Sequence, residues 1–209
     1  MALVQIDLPD PLSMRGRWAA LAAVRAAGGR GDGCRAQGLV WHYDDGDGGW
    51  ADLHHLGDGR AVLLGQDRDD SHTFYAEASD FYEEKETDLL AGAPDWWEPP
   101  VRAAREAELF LGFVYGFDGS TWRRAAYDAD DGFGSVGLPA LDDGRAEDVL
   151  RAALAEAPGP QGAEPSGDAV RALIAADGVV TEELLGAVVP PAGWDVSAGV
   201  AAARAFTEA

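Results

Sequence analysis

Residues 39–67, LVWHYDDGDGGWADLHHLGDGRAVLLGQD, decide the fold. Three apolar runs rich in aromatic and β-branched residues are cut by two clusters of Asp and Gly, residues that relieve backbone strain in tight turns. LVWHYD, GWADLHHL and RAVLLGQD therefore read as three strands of an antiparallel meander. Side chains alternate along a strand, so the simplest register puts Leu39, Trp41, Tyr43, Trp50, Val62 and Leu64 on one face, the expected core side. His42, Asp44, His55 and Asp67 then share the opposite face, and His54 turns inward beside Asp52.

Downstream, Phe74, Ala78, Phe81 and Tyr82 recur at helical spacing and predict a helix that Ser71 or Thr73 begins. The segment PDWWEPPV (94–101) holds adjacent tryptophans between prolines. FLGFVYGF and STWRRAAYD flank the turn Asp118-Gly119 and predict a hairpin that extends the meander to a sheet of about five strands. Upstream, LVQIDLPDPL reads as a brief strand or extended arm cut off by proline. Ser13 and Gly28-Gly29 bracket an amphipathic helix with Trp18, Leu21, Ala22 and Arg25 at helical spacing. The stretch GGRGDGCRAQG that follows reads as a glycine-rich loop.

From Gly144 the pattern turns helical: RAEDVLRAALAEA, GDAVRALIAAD, VTEELLGAVV and DVSAGVAAARAFTEA, interrupted by the Pro/Gly linker APGPQGAEPSG and by Pro190-Pro191. The expected architecture is α+β, with an α+β domain over residues 1–143, its antiparallel sheet flanked by helices, and a helical C-terminal part over 144–209 packed on it. A chain of 209 residues suits one main core.

The charge balance is lopsided: 37 acidic residues against 16 basic give a formal net charge of -21. A field of that sign repels phosphate backbones and anionic membranes and attracts a basic protein partner. One Lys, no Asn and an excess of Ala, Gly and Asp match a GC-rich coding sequence of the kind found in actinobacterial proteins, to which part of the acidity is due. The single cysteine, Cys34, excludes an intrachain disulfide and a Cys-rich zinc module. The apolar run WAALAAV is too short for a membrane span and lacks the flanks of a signal peptide, so a cytoplasmic location is expected.

Candidate chemistry is sparse. There is no Walker loop, dinucleotide fingerprint, G-x-S-x-G or H-E-x-x-H pattern, so no catalytic residue is assigned and the chain reads as non-enzymatic. The acidic turns at 44–47 and 128–132 lack the closing glutamate of a calcium loop. The one cofactor the sequence leaves room for is a divalent metal, on His42, His55 and His72 with Asp44 or Asp67. The stronger candidate is a binding surface in which Trp96 and Trp97 supply desolvated anchors while Asp95 and Glu98 steer a basic partner.

The run GRAVLLGQDRDDS with its preceding ADLHHL resembles small actinobacterial proteins of unassigned function, over residues 38–98. In class and charge the chain is similar to SMI1/KNR4-type immunity proteins, acidic α+β domains that neutralise toxins by binding. That resemblance implies an immunity-type inhibitor of a basic toxin or nuclease. Two alternatives stay open: a metal-dependent enzyme or metal-binding protein using the His/Asp cluster, and a structural subunit that docks through its C-terminal helices.

Overall fold

The structure is a computed structural model that describes residues 3–156, 164–190 and 192–208. Its fold is α+β. The strands are β1 (Val4–Ile6), β2 (Cys34–Gln37), β3 (Val40–Asp44), β4 (Gly49–His55), β5 (Ala61–Asp67), β6 (Phe113–Phe117) and β7 (Trp122–Arg124). They form one antiparallel sheet in the order β1-β7-β6-β5-β4-β3-β2. The meander β3–β5 and the hairpin β6–β7 lie where the sequence places them and join through the β5–β6 pair. The sheet has seven strands rather than about five because β1 adds to the hairpin, Ile6 opposite Trp122, and because β2 arises within the stretch read as a glycine loop.

The helices are α1 (Arg15–Ala27), α2 (Glu77–Tyr82), α3 (Glu98–Glu106), α4 (Asp143–Glu156), α5 (Gly167–Ala175), α6 (Glu182–Gly186) and α7 (Val196–Ala205). Among the described residues no helix is long and apolar enough to cross a membrane. The linker residues 157–163, and Pro191, lie outside the described residues. The chain divides into two compact units, one of residues 3–8 with 43–138 and one of 9–42 with 139–208. Residues 9–42, including α1 and β2, thus group with the C-terminal helices instead of with the rest of 1–143.

In the first unit the register sets two sheet faces. Asp52 pairs with Leu64 and His54 with Val62, while Leu64 pairs with Val114 and Val62 with Gly116. Trp50, Val62 and Leu64 therefore share a face, as their alternation requires, with His54 beside Asp52 on it. On this face Val62, Leu64 and Val114 pack with Leu89, Leu111 and with Trp97, Val101 and Ala104 from α3 and the turn before it. The prolines that follow the tryptophans start α3: Pro99 and Pro100 lie in its first turn, where no amide is needed and the fixed φ suits a helix. The opposite face is just as dry, with Ala51, Leu53, Leu63 and Phe113 fully buried, so β5 has no solvent side. Leu39, expected in the core, is 52 % exposed.

In the second unit α1 is interior on every side. Residues Trp18 to Val24 have no exposed surface, whereas the sequence reads as amphipathic, because alanine supplies the faces that a polar stripe would otherwise occupy. Small residues permit the approach: a Cβ on Gly16 would lie 2.3 Å from the carbonyl oxygen of Ile174 in α5, and one on Gly199 of α7 would lie 2.6 Å from that of Ala23. Arg17 pairs with Asp143 at 2.6 Å and Arg15 with Asp177. The Trp18 indole donates to the His42 carbonyl at 3.1 Å, and Trp41 packs between Trp18 and Phe206. Ser166, Thr181 and Asp195 cap α5, α6 and α7 by accepting from amides three residues on.

Candidate protein-binding surface

The rings of 74–82 read as one helical stripe, yet only Glu77–Tyr82 is helical and its aromatic face points to solvent. Phe81 is 69 % and Tyr82 42 % exposed. They meet Phe110, which with Leu109 (41 % exposed) follows the end of α3. Ring centroids lie 4.9 Å apart for Phe81–Tyr82, 5.4 Å for Phe81–Phe110, 5.7 Å for Tyr82–Phe110 and 5.6 Å for Phe74–Tyr82. These are the separations of packed aromatic pairs, so the rings form one ordered apolar patch.

Two helix ends deliver it, and both end on a glutamate in the left-handed region. At α3 the amide of Leu109 donates to the Ala104 carbonyl and that of Glu108 to Arg105, the paired bonds of a Schellman motif, with Glu108 at φ 59°. At α2 the Glu84 amide donates to the Ser79 carbonyl across Glu83 at φ 56°. Glycine is the usual residue at such a position, since a Cβ there crowds the following carbonyl. Ala76, which precedes α2, sits at φ 49° and ψ -120°. A bidentate Arg105–Glu77 pair, at 2.9 and 2.6 Å, ties the last turn of α3 to the first of α2. That guanidinium holds the Glu77 carboxyl down at about 2. The same helix ends carry the exposed carboxylates of Asp80, Glu83, Glu84, Glu106 and Glu108.

The residues nominated from sequence lie elsewhere. Trp97 is 1 % exposed, which corrects its reading as a surface anchor. Its ring covers Gly116, where a Cβ would come within 2.0 Å of it, so β6 leaves a side chain out to seat the indole. Trp96 is half-buried, edge-on to Trp97 at 5.8 Å, with the Arg60 guanidinium 5.6 Å from its ring. Asp95 and Glu98 are exposed, and Glu98 faces Arg102 at 3.6 Å.

Among the described residues no three His, Cys, Asp or Glu side chains converge on a metal-sized site. His55 and Asp67 do share a sheet face, but His55 pairs with Ala61 and Asp67 lies six residues further along β5, roughly 20 Å away at strand rise. The Asp67 carboxylate accepts from the amides of Asp69 and Asp70 at 3.0 and 2.8 Å, and that of Asp44 from Gly46 at 2.7 Å, so both serve turns. His42 is half-buried in β3, and His72 is exposed with its amide donating to the Asp130 carbonyl at 2.8 Å. Burial holds the His54 imidazole below its ordinary value, partly opposed by Asp52. Burial also pushes the Cys34 thiol up to about 12, which leaves it an inert core residue.

A part-buried polar knot also stands in the first unit. The Tyr115 and Tyr127 hydroxyls both donate to Asp131 Oδ2, at 2.6 and 2.8 Å, and the Arg124 guanidinium lies 4.1 Å from the Tyr127 ring. Burial and the Asp131 charge push both phenols above the usual range, so they are donors and not bases. The sequence signal for the exposed patch was the run FYEEKE, in which rings pass directly into charge without a further apolar turn to cover them. No protein-family model, no curated protein and no solved structure shows significant similarity to this chain, so its geometry alone bears on what it does.

Proposed function

We propose that this chain is a non-enzymatic, acidic protein-binding module of the immunity type, which covers a basic site on a toxin or nuclease. The observation that carries it is the patch of exposed Phe81 and Tyr82 packed on half-buried Phe110, with exposed Leu109 next to it in the chain, beside a set of carboxylates. An exposed apolar patch with a polar rim suits a protein interface, and covering what remains open of Phe81 alone stabilises a complex by about 2 kcal/mol. The acids add long-range attraction for a cationic partner and set the salt dependence of association. Left-handed glutamates at both helix ends support the reading, since strain of this kind gathers at functional surfaces.

The test is affinity capture from source-cell lysate with the wild type and with the double variant Phe81→Ser/Tyr82→Ser. A basic protein retained by the wild type, released by salt and lost with the variant supports the proposal. Retention that is indifferent to those two rings refutes it. An unfolding curve of the variant that matches the wild type establishes that the fold is intact.

A further inference from the structure

An open groove of about 590 Å³ adjoins the aromatic patch through Phe74, which lines it and also contacts Tyr82. Phe74 and Tyr127 supply its rings, and Glu84, Glu86, Asp88 and Asp128 its charge, against the single Lys85. Among the described residues none of these four carboxylates has an ion-pair partner; Arg105, Arg123 and Arg60 of the same unit are each paired with another acid, and Arg124, beside Tyr127, donates to the Ala125 and Tyr127 carbonyls. The walls are fixed from behind. The Tyr127–Asp131–Tyr115 knot pins one, the Thr87 amide donating to the Phe74 carbonyl at 2.8 Å pins another, and the His72–Asp130 bond joins the strands of chain between them.

We infer that this groove seats a basic side chain, arginine above lysine, on an extended segment of the protein partner, with an apolar residue of the same segment resting on the Phe81–Phe110 rings. Unpaired carboxylates in a walled groove give charge complementarity, and the flat guanidinium suits both the acids and the ring face of Phe74, while Arg124 already lies against the Tyr127 ring. The volume is that of a site for a side chain with its flanking backbone. The inference rests on the reading of the chain as an acidic binding protein and names the chemistry that it grips.

The probe is the peptide acetyl-Leu-Arg-Gly-Arg-amide titrated into the ¹⁵N-labelled full chain. The amides of Thr87, Ala126 and Ala129 are expected to shift most. Glu84→Gln/Glu86→Gln/Asp128→Asn, which spares the Asp88 carboxylate that holds the Leu90 amide, is expected to weaken binding roughly tenfold. The charge-matched control Asp47→Asn/Asp95→Asn/Glu98→Gln is expected to change it less than about twofold. Equal weakening in both variants, or shifts spread over the whole acidic surface, overturns the inference, because a diffuse field and not the groove then holds the peptide. The shift map of the unaltered protein and the single variant Glu86→Gln keep the test decisive if the triple variant unfolds. Spermine that competes equally well with or without Phe81→Ser also overturns it, since the occupant is then a small polyamine. A silent groove alongside ring-dependent capture of a basic protein sinks this inference alone. Groove shifts without such capture sink the proposed function instead.

Discussion

Replacing Glu108 by glycine stabilises this protein. Glu108 sits at φ 59° with the Schellman bonds of α3 closing around it. A side chain in that region costs about 1–2 kcal/mol relative to the right-handed helix region. Its carboxylate also lies at the negative end of the helix dipole, which costs a further 0.3–1 kcal/mol or so. Glycine removes both and gives back about 0.5–1 kcal/mol through the larger freedom of the unfolded chain. The net is about 1 kcal/mol, or roughly 2–4 °C in Tm for a chain of this size. Two controls separate the contributions. Glu108→Ala removes the charge and keeps the Cβ, so it gains only the electrostatic part. Ala103→Gly, exposed in the middle of α3, costs about 1 kcal/mol as an ordinary helix-interior glycine. Urea unfolding followed by circular dichroism reads all three. If Glu108→Gly is neutral or destabilising, or no better than Glu108→Ala, backbone strain at this helix end is refuted.

Trp97→Ala should lower stability by about 3–5 kcal/mol and Phe81→Ser by about 1 kcal/mol in the same assay, since one ring is interior and the other keeps only its contacts with Tyr82 and Phe110; comparable losses would contradict the inside-out placement of the two rings. Gly116→Ala should cost about 1–3 kcal/mol or more by driving a methyl into the Trp97 ring, and wild-type stability there would mean the indole sits elsewhere. Arg105 holds Glu77 near 2 against an ordinary 4.5, so the pair's contribution is complete above pH 4.5 and is lost as pH falls toward 2. Both side chains are well exposed, which limits it to about 1 kcal/mol or less, and Glu77→Gln should flatten the stability profile in that window only. Burial holds His54 below its ordinary 6.5, so its contribution to stability is full above pH 6.5 and declines as pH drops below it; a profile below pH 6.5 that His54→Gln leaves unchanged would show the ring to be solvated.

The meander and the hairpin were legible because Asp and Gly mark their turns and aromatic and β-branched residues fill their strands. What the sequence hid has local causes. CRAQ offers only two apolar residues between glycines, so β2 becomes a strand by pairing beyond β3 and not by its own pattern. Alanine scores as neutral in an amphipathic reading, which made the central helix α1 look one-sided although every face is covered. The candidate surface was misassigned for a related reason: Trp97 is drawn inward by a glycine 19 residues further along the chain, and no linear pattern near the tryptophans announces that seat. Phe81 and Tyr82 had the spacing of core residues, but α2 ends within one residue of Tyr82, before a second apolar turn could turn them inward.

The sole lysine has a practical consequence. Lys85 stands on the groove, among glutamates, and it is the only ε-amine in the chain. Apart from the α-amino group, amine-reactive dyes, biotin esters and activated resins will therefore couple at the rim of the proposed recognition site, and a bait immobilised through that lysine would come to the column with its mouth closed. Attachment through an appended tag, or after Lys85→Arg, leaves the groove open, while the rate at which that amine is acylated offers a simple gauge of whether something already occupies it.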